Sequence, residues 1–327
     1  MKKILLAAMA ALAITGCSQN EEFEAPAQKA EINFNTAVTR AVEMNTDALK
    51  QAGFQVYAYN TGTDNMSDQV VLSSSPWING LASFNSEWSV AGGPYYWPLT
   101  EKLQFFSYSP TTGVVYTEPN GTDKGYPKFT YTVQTDAANQ KDLVIASVEN
   151  AAKALSGATP AVSLTFKHAL TQINIQVIQE DANYTYEVEP TVTISGIKGD
   201  GTFTYTGLNK GTWTTGSTDA TYTYTLGTIT NGTSAITADN ALMLIPQDIT
   251  NAKITIKYKT KKGESLVFNG EKEIPLASST PAWGFGTKIL YKLTLPVGGE
   301  KVKLEGTAGA WDAETQGPEK TPETPAA

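Results

Sequence analysis

The chain has 327 residues, with 24 lysines and arginines against 32 aspartates and glutamates, a net charge of −8 and a pI near 4.9. An acidic chain of this kind excludes nucleic acid and anionic lipid surfaces as electrostatic partners. Apolar residues at 41% and aromatics at 10% suffice for a globular core, and the length suggests one large or two medium domains.

Lys2 and Lys3 precede an apolar run, 4–15, that is too short to span a bilayer and reads as a secretory signal. Its end, Ile14-Thr15-Gly16-Cys17, resembles the lipobox of bacterial lipoproteins, in which the cysteine becomes the lipidated first residue. Cys17 is the only cysteine, so no intramolecular disulfide can form. Each buried acyl CH₂ contributes about 0.8 kcal/mol, so lipidation at Cys17 implies outer-membrane lipid as a partner. The acidic stretch that follows resembles the surface-export signal of Bacteroidetes lipoproteins, and its plainer alternative is a solvated linker. Residues 1–16 are thus expected to be signal peptide, and 17–40 a lipidated propeptide.

Within that propeptide, Ile32, Phe34 and Val38 fall on one side of an extended segment. Asn33, Asn35, Ala37 and Thr39 fall on the other, with Thr36 the weak member of the inner row. Arg40, directly after this strand and before Ala41, is the only arginine in the chain. Residues 45–54 predict one short helix, capped by Asn45 or Thr46 and ended at Gly53. Beyond it strand signals dominate, at 55–59, 102–110, 128–133, 142–148, 162–178, 191–197, 221–229, 241–247, 252–260 and 288–295. These runs are rich in Val, Ile, Thr, Tyr and Phe and mostly alternate with period two. In the run 252–260, Ile254, Ile256 and Tyr258 point one way, and Thr255, Lys257 and Lys259 point to water. Many short strands between Gly, Asn, Asp and Pro turns predict an all-β fold of the sandwich type with little helix. The most loop-like break is 149–161, and the Pro-rich charged tail 312–327 predicts disorder.

The ordered series "YYWPLTEKLQFFSYSP", "QKDLVIAS", "LTFKHALTQINIQV", "ALMLIPQ" and "WGFGTKILYKLTL" resembles the fimbrillin-like lipoproteins of the Bacteroidales, subunits of type V pili. The resemblance runs from about residue 31 to Trp311. It implies two tandem β-sandwich domains of transthyretin-like topology, here 41–155 and 156–311. It also implies a lipidated precursor, removal of the first strand by a trypsin-like or Arg-specific protease, and assembly with other pilus subunits by strand exchange at the cell surface. Carried onto this chain, the cut falls after Arg40, Ala41 becomes the new first residue, and Ile32, Phe34 and Val38 form the buried row of the removable strand. A lone arginine gives such a protease one target; the alternative is compositional drift toward lysine. Residues 300–311 alternate Val302 and Leu304 with charged neighbours, and read either as a strand donated to another subunit or as the closing strand of the second domain. The resemblance implies that shaft subunits end with extra strands that engage the next subunit; the tail after Trp311 is a poor strand, a departure from that pattern that fits a tip or accessory subunit.

No catalytic residue, metal site or cofactor is predicted. His168 is the only histidine, too few for a zinc site of usual spacing, and a hydrogen-bonded structural role is expected for it. No G-x-S-x-G elbow, P-loop or EF-hand loop occurs. Trp77, Trp88, Tyr95, Tyr96 and Trp97 cluster within one short stretch. They are either core fillers or sugar-stacking faces, and the latter would make the chain an uncleaved lipoprotein that binds a host or bacterial surface glycan.

Overall fold

The computed structural model describes residues 29–38, 45–237, 240–276 and 282–311. Cys17, Arg40, Ala41 and the tail beyond Trp311 lie outside them. The first elements are β1 (Phe34–Val38), α1 (Thr46–Ala52), β2 (Phe54–Asn60), β3 (Ile78–Asn85), β4 (Glu87–Val90) and β5 (Leu103–Ser109). They are followed by β6 (Val114–Thr117), β7 (Lys128–Thr132), β8 (Val144–Ala151), β9 (Val162–His168) and β10 (Thr171–Gln179). Next come β11 (Thr185–Val188), β12 (Thr191–Lys198), β13 (Asp200–Gly207), β14 (Lys210–Thr215), β15 (Asp219–Thr225), β16 (Ile229–Thr230) and β17 (Thr233–Ser234). The chain closes with β18 (Leu242–Leu244), β19 (Lys253–Lys262), β20 (Ser265–Pro275), β21 (Thr287–Leu295) and β22 (Lys303–Ala310).

These strands form four sheets among the described residues, and the protein is nearly all-β as its patterning predicts. The largest runs β1-β9-β8-β5-β2-β3-β4. A second runs β16-β17-β10-β21-β22, with β18 also on β10; a third runs β11-β19-β12-β15, with β20 on β19; a fourth runs β14-β13-β7-β6. Successive side chains of a strand face opposite ways, and in β2 and β5 both faces are covered. Val56, Ala58 and Phe105 enter one core, with Ile32, Phe34, Val38, Leu49 of α1, Trp88 and Phe166. Tyr57, Tyr59, Phe106 and Tyr108 enter the other, which continues through the remaining sheets. Across that second face Phe106 meets Tyr205 at 5.0 Å, Tyr108 meets Phe129 at 5.3 Å, and Tyr57 stacks on Tyr116 at 3.8 Å.

Among the described residues, three strand pairings cross residue 155: β1 with β9, β8 with β9, and β7 with β13. The break at 149–161 spans the end of β8 and the loop before β9, and both strands belong to the largest sheet. β7 pairs with β13, so residues from before and after the break share the fourth sheet. The run 162–178 is two strands, β9 and β10, which belong to different sheets. Ala169 and Leu170, both fully buried, make the passage between them.

The helix forms where its end signals place it. The Asn45 side chain accepts from the backbone N–H groups of Asp47 (3.0 Å) and Ala48 (2.8 Å), and Gly53 ends the helix at φ 72°. A Cβ at Gly53 would sit 2.5 Å from the carbonyl oxygen of Ala82, in a backbone region that side chains rarely adopt. Gly53→Ala is therefore expected to cost about 1–3 kcal/mol, read as a lowered thermal midpoint.

Much of the core is tyrosine, which makes stability sensitive to alkali. Burial pushes the phenols of Tyr131, Tyr222, Tyr258 and Tyr291 up to about 12, and those of Tyr116 and Tyr205 well above the ordinary value. An unfolded chain ionises its phenols near pH ~10, before the folded one does. The stabilisation is thus full below about pH 10 and lost as pH rises toward 12. Phenolate absorbance and far-ultraviolet circular dichroism should change together in that window, and separate transitions would contradict the assignment.

Candidate functional site

The N-terminal segment is stitched to the body by two different partners. Its first part lies antiparallel to the aromatic run 95–97: Ile32 N–H donates to the Tyr95 carbonyl at 2.8 Å, and Trp97 N–H donates to the Ala30 carbonyl at 2.9 Å. Glu31 and Tyr96 form the bridge between these bonds. The chain then becomes β1, which runs parallel to β9 with Phe34 opposite Val162 and Val38 opposite Phe166. Val162 N–H donates to the Asn33 carbonyl at 2.7 Å where the partners change.

Ile32, Phe34 and Val38 are buried in register with the sequence pattern. Phe34 meets Phe105 edge-on at 5.9 Å and Phe54 at 6.2 Å. Thr36, the weak inner position, is half-buried, and its hydroxyl accepts from the Trp88 indole N–H at 3.1 Å. β1 is an edge strand, so β9 reaches the rim of its sheet only through it.

This geometry corrects the sugar-stacking reading for two of its five residues. Trp88 and Trp97 are buried in the first core, with their rings against Phe54, Phe84 and Phe105. Tyr95 packs partly against the same core and bonds through its hydroxyl to the Ala91 carbonyl. Tyr96 stays exposed, with Lys29 Nζ 5.6 Å from its ring centre, and Trp77 bonds to the Tyr96 carbonyl. The main chain of 95–97 is the seat of the N-terminal segment, a role without a side-chain signature.

At the other end of the protein, β22 lies antiparallel to β21, Lys303 opposite Thr294 and Ala310 opposite Thr287, and forms the edge of the second sheet. Here it closes its own sheet. Val302 and Leu304 are half-buried against the core, and the rest of the strand is small or charged. Trp311, directly after it, is buried, and its backbone N–H donates to the Gly286 carbonyl at 2.7 Å.

His168 ends β9 and is fully buried. Its Nδ1 lies 2.7 Å from Asp142 Oδ2, and its ring stacks on that of Trp311 at 4.3 Å between centres and 5° between planes. This cluster was not legible as such, because its members are far apart in the chain. Among the described residues, no group of three or more His, Cys, Asp or Glu is placed to hold a metal ion.

A family model described as fimbrillin-like matches residues 39–311. Among curated proteins, fimbrium subunit Fim1C of Phocaeicola vulgatus is 28% identical and covers 94% of this chain and 96% of its own length. A solved fimbrial protein of Bacteroides vulgatus superposes with a TM-score of 0.62 at 21% identity, over 86% of this chain and 99% of that one. A solved candidate cell-adhesion protein of Bacteroides uniformis gives 0.52 at 17% identity, over 86% and 99%. At these identities the two structures share the fold.

Proposed function

This chain belongs to the fimbrillin-like family, and from that premise we propose that it is a cell-surface fimbrial subunit assembled by strand exchange. It leaves the cell as a lipoprotein anchored through Cys17, is cut after Arg40, and loses β1. The observation that carries this reading is the position of β1: an edge strand with three buried apolar side chains, laid parallel along β9. Removing it uncovers a row of backbone donors and acceptors beside an apolar groove floored by Phe54, Phe105 and Phe166, which suits a strand from another subunit. Parallel pairing is slightly weaker per residue than antiparallel pairing, so an antiparallel newcomer can improve on β1. The partners are other pilus subunits and an Arg-specific protease, with a surface glycan or protein as the receptor. A subunit whose β22 stays in its own sheet accepts a strand without giving one, as a tip or accessory subunit does.

The test uses the Cys17→Ala precursor mixed with an Arg-specific protease. The expected products are a chain beginning at Ala41 and a ladder of heat-labile, detergent-resistant oligomers. An intact monomer that binds oligosaccharide would sink this reading in favour of an uncleaved glycan-binding lipoprotein.

A further inference from the structure

Away from the groove of β1, three segments enclose a cleft of about 740 Å³. Its walls are the second half of α1 (Ala48, Gln51, Ala52), the turn after β5 (Pro110, Thr112, Gly113) and the stretch from the end of β7 to Asp142. Each wall is fixed in place. The Ser109 hydroxyl donates to the Gly53 carbonyl at 2.7 Å and ties the end of β5 to the end of the helix. The turn closes through Val114 N–H to the Thr111 carbonyl at 3.4 Å, and a Cβ on Gly113 would sit 3.2 Å from the Tyr131 ring. In the third wall the Asp136 carboxylate caps a single 3-10 turn, Ala137–Asn139, and the Tyr131 hydroxyl donates to the Lys141 carbonyl at 3.3 Å. Gln140 spans this wall, accepting from Met243 N–H at 2.7 Å and donating to the Gln134 carbonyl at 2.9 Å. Clefts that hold small ligands are of this kind, largely preset and of about 300–1,000 Å³.

The lining is amphiphilic without being charged. Ala48, Ala52 and Pro110 supply apolar surface. The exposed amides of Gln51 and Gln134 and hydroxyls of Thr112 and Thr132 make no side-chain hydrogen bond among the described residues, so each keeps its donor and acceptor capacity for a ligand. The lining has one basic and one acidic side chain, Lys141 and Asp142, and Asp142 is already held by His168. At Tyr131 the main chain of β7 is taken on both sides, by Gly201 of β13 and Val114 of β6, so a peptide finds no open strand edge there. These groups match a molecule with apolar C–H faces and many neutral hydroxyls, each both donor and acceptor.

We propose that this cleft binds neutral sugar rings, the outer part of a cell-surface glycan. The proposal rests on the reading of the chain as a surface fimbrial subunit and deepens it: the receptor is a glycan, and its seat is this cleft. The lining shares no residue with β1, β9, the run 95–97 or β22. Binding is therefore compatible with every state of the groove, whether it holds β1, stands open or is filled by another subunit. The exposed Tyr96 and Trp77 take no part in it.

The experiment titrates the full chain carrying Cys17→Ala, before and after Arg-specific cleavage, with two panels of oligosaccharides. One panel is neutral, built from hexoses, fucose and N-acetylhexosamines; the other carries acidic sugars. At least one neutral sugar should bind, and its addition should slow hydrogen–deuterium exchange at 111–113 and 134–142 while β12 and β19 keep their rates. Gln51→Ala with Gln134→Ala removes two exposed amides, so the thermal midpoint should match the parent while the affinity falls about tenfold or more. Thr112→Trp should fill the cleft and abolish binding, and it decides the matter if the double variant loses stability. Tyr96→Ala should leave binding unchanged. No binding by the neutral panel, binding of acidic sugars alone, or binding that the cleft variants leave intact overturns the proposal. A chain that is cut and forms the ladder yet binds no sugar loses the cleft site and keeps the proposed function. An uncut monomer that binds through the cleft keeps the site and loses the proposed function.

Discussion

Arg40→Ala should give a folded monomer that an Arg-specific protease leaves uncut and that forms no oligomer ladder, against complete conversion of the parent. The reason is a balance between two magnitudes. Ile32, Phe34 and Val38 are buried, and at about 1.5–3 kcal/mol for each such side chain their burial holds β1 with a gross stabilisation of ~5–9 kcal/mol. While the chain is continuous, β1 is a tethered partner at an effective concentration in the millimolar range or above, and an incoming strand competes poorly with it. Once the chain is cut, β1 must bear the cost of a separate molecule binding, about 4–15 kcal/mol, a cost of the same order as what its side chains supply. Cleavage therefore removes the tether's advantage and lets an incoming strand compete, without altering one contact in the body. In the sequence Arg40 falls after the apolar row Ile32, Phe34 and Val38, so the thermal midpoint of Arg40→Ala should match the parent. Oligomers formed by Arg40→Ala in the presence of protease would show that something other than this cut starts assembly.

The largest loss of stability is expected from His168→Ala. The pair it forms with Asp142 is buried on both sides, and Asp142 Oδ1 already has no hydrogen-bond partner. Removing the imidazole leaves the whole carboxylate buried without a partner and opens one face of Trp311. Breaking a buried pair from one side costs about 3–5 kcal/mol, more than replacing both partners would. With a urea slope of about 1–3 kcal/mol per molar, the unfolding midpoint should fall by about 1 M or more. Asp142→Asn keeps an oxygen toward Nδ1 and should lose less. A drop of under about 1 kcal/mol in His168→Ala would mean that the site repacks around the missing ring.

Strands with one buried face were legible from the sequence. β19 is the plainest: Ile254, Ile256 and Tyr258 are buried, Lys257 and Lys259 are exposed, and the alternation alone predicts it. The helix was legible because its Asn45 cap and Gly53 stop are local signals. The β13–β14 hairpin and β20 were not, for Gly, Thr, Lys and Glu dilute their apolar residues, and β14 and β20 have one face in water. The run 162–178 reads as one strand because Ala169 and Leu170 are as apolar as the strands they join. Parallel pairing of β1 with β9 and of β10 with β21 depends on partners more than a hundred residues away, which no local pattern encodes. At the candidate site, the buried row Ile32, Phe34 and Val38 was visible as periodicity. The seat made by the main chain of 95–97 was not, because backbone hydrogen bonds do not depend on side-chain type.

The two-residue passage from β9 to β10 has a mechanical meaning for a subunit held in a filament. Under the proposed strand exchange, a neighbour's strand on β9 would pull on a segment joined to β10 through Ala169 and Leu170, with no loop to spool out. β10 is bound to β21 over nine parallel pairs, Thr171 opposite Thr287 through Gln179 opposite Leu295. A pull along β10 loads all of these bonds in shear, so they must fail together, whereas a pull across the strand would unzip them one at a time. The element that switches sheets would thus place the longest parallel ladder among the described residues directly in that line of tension.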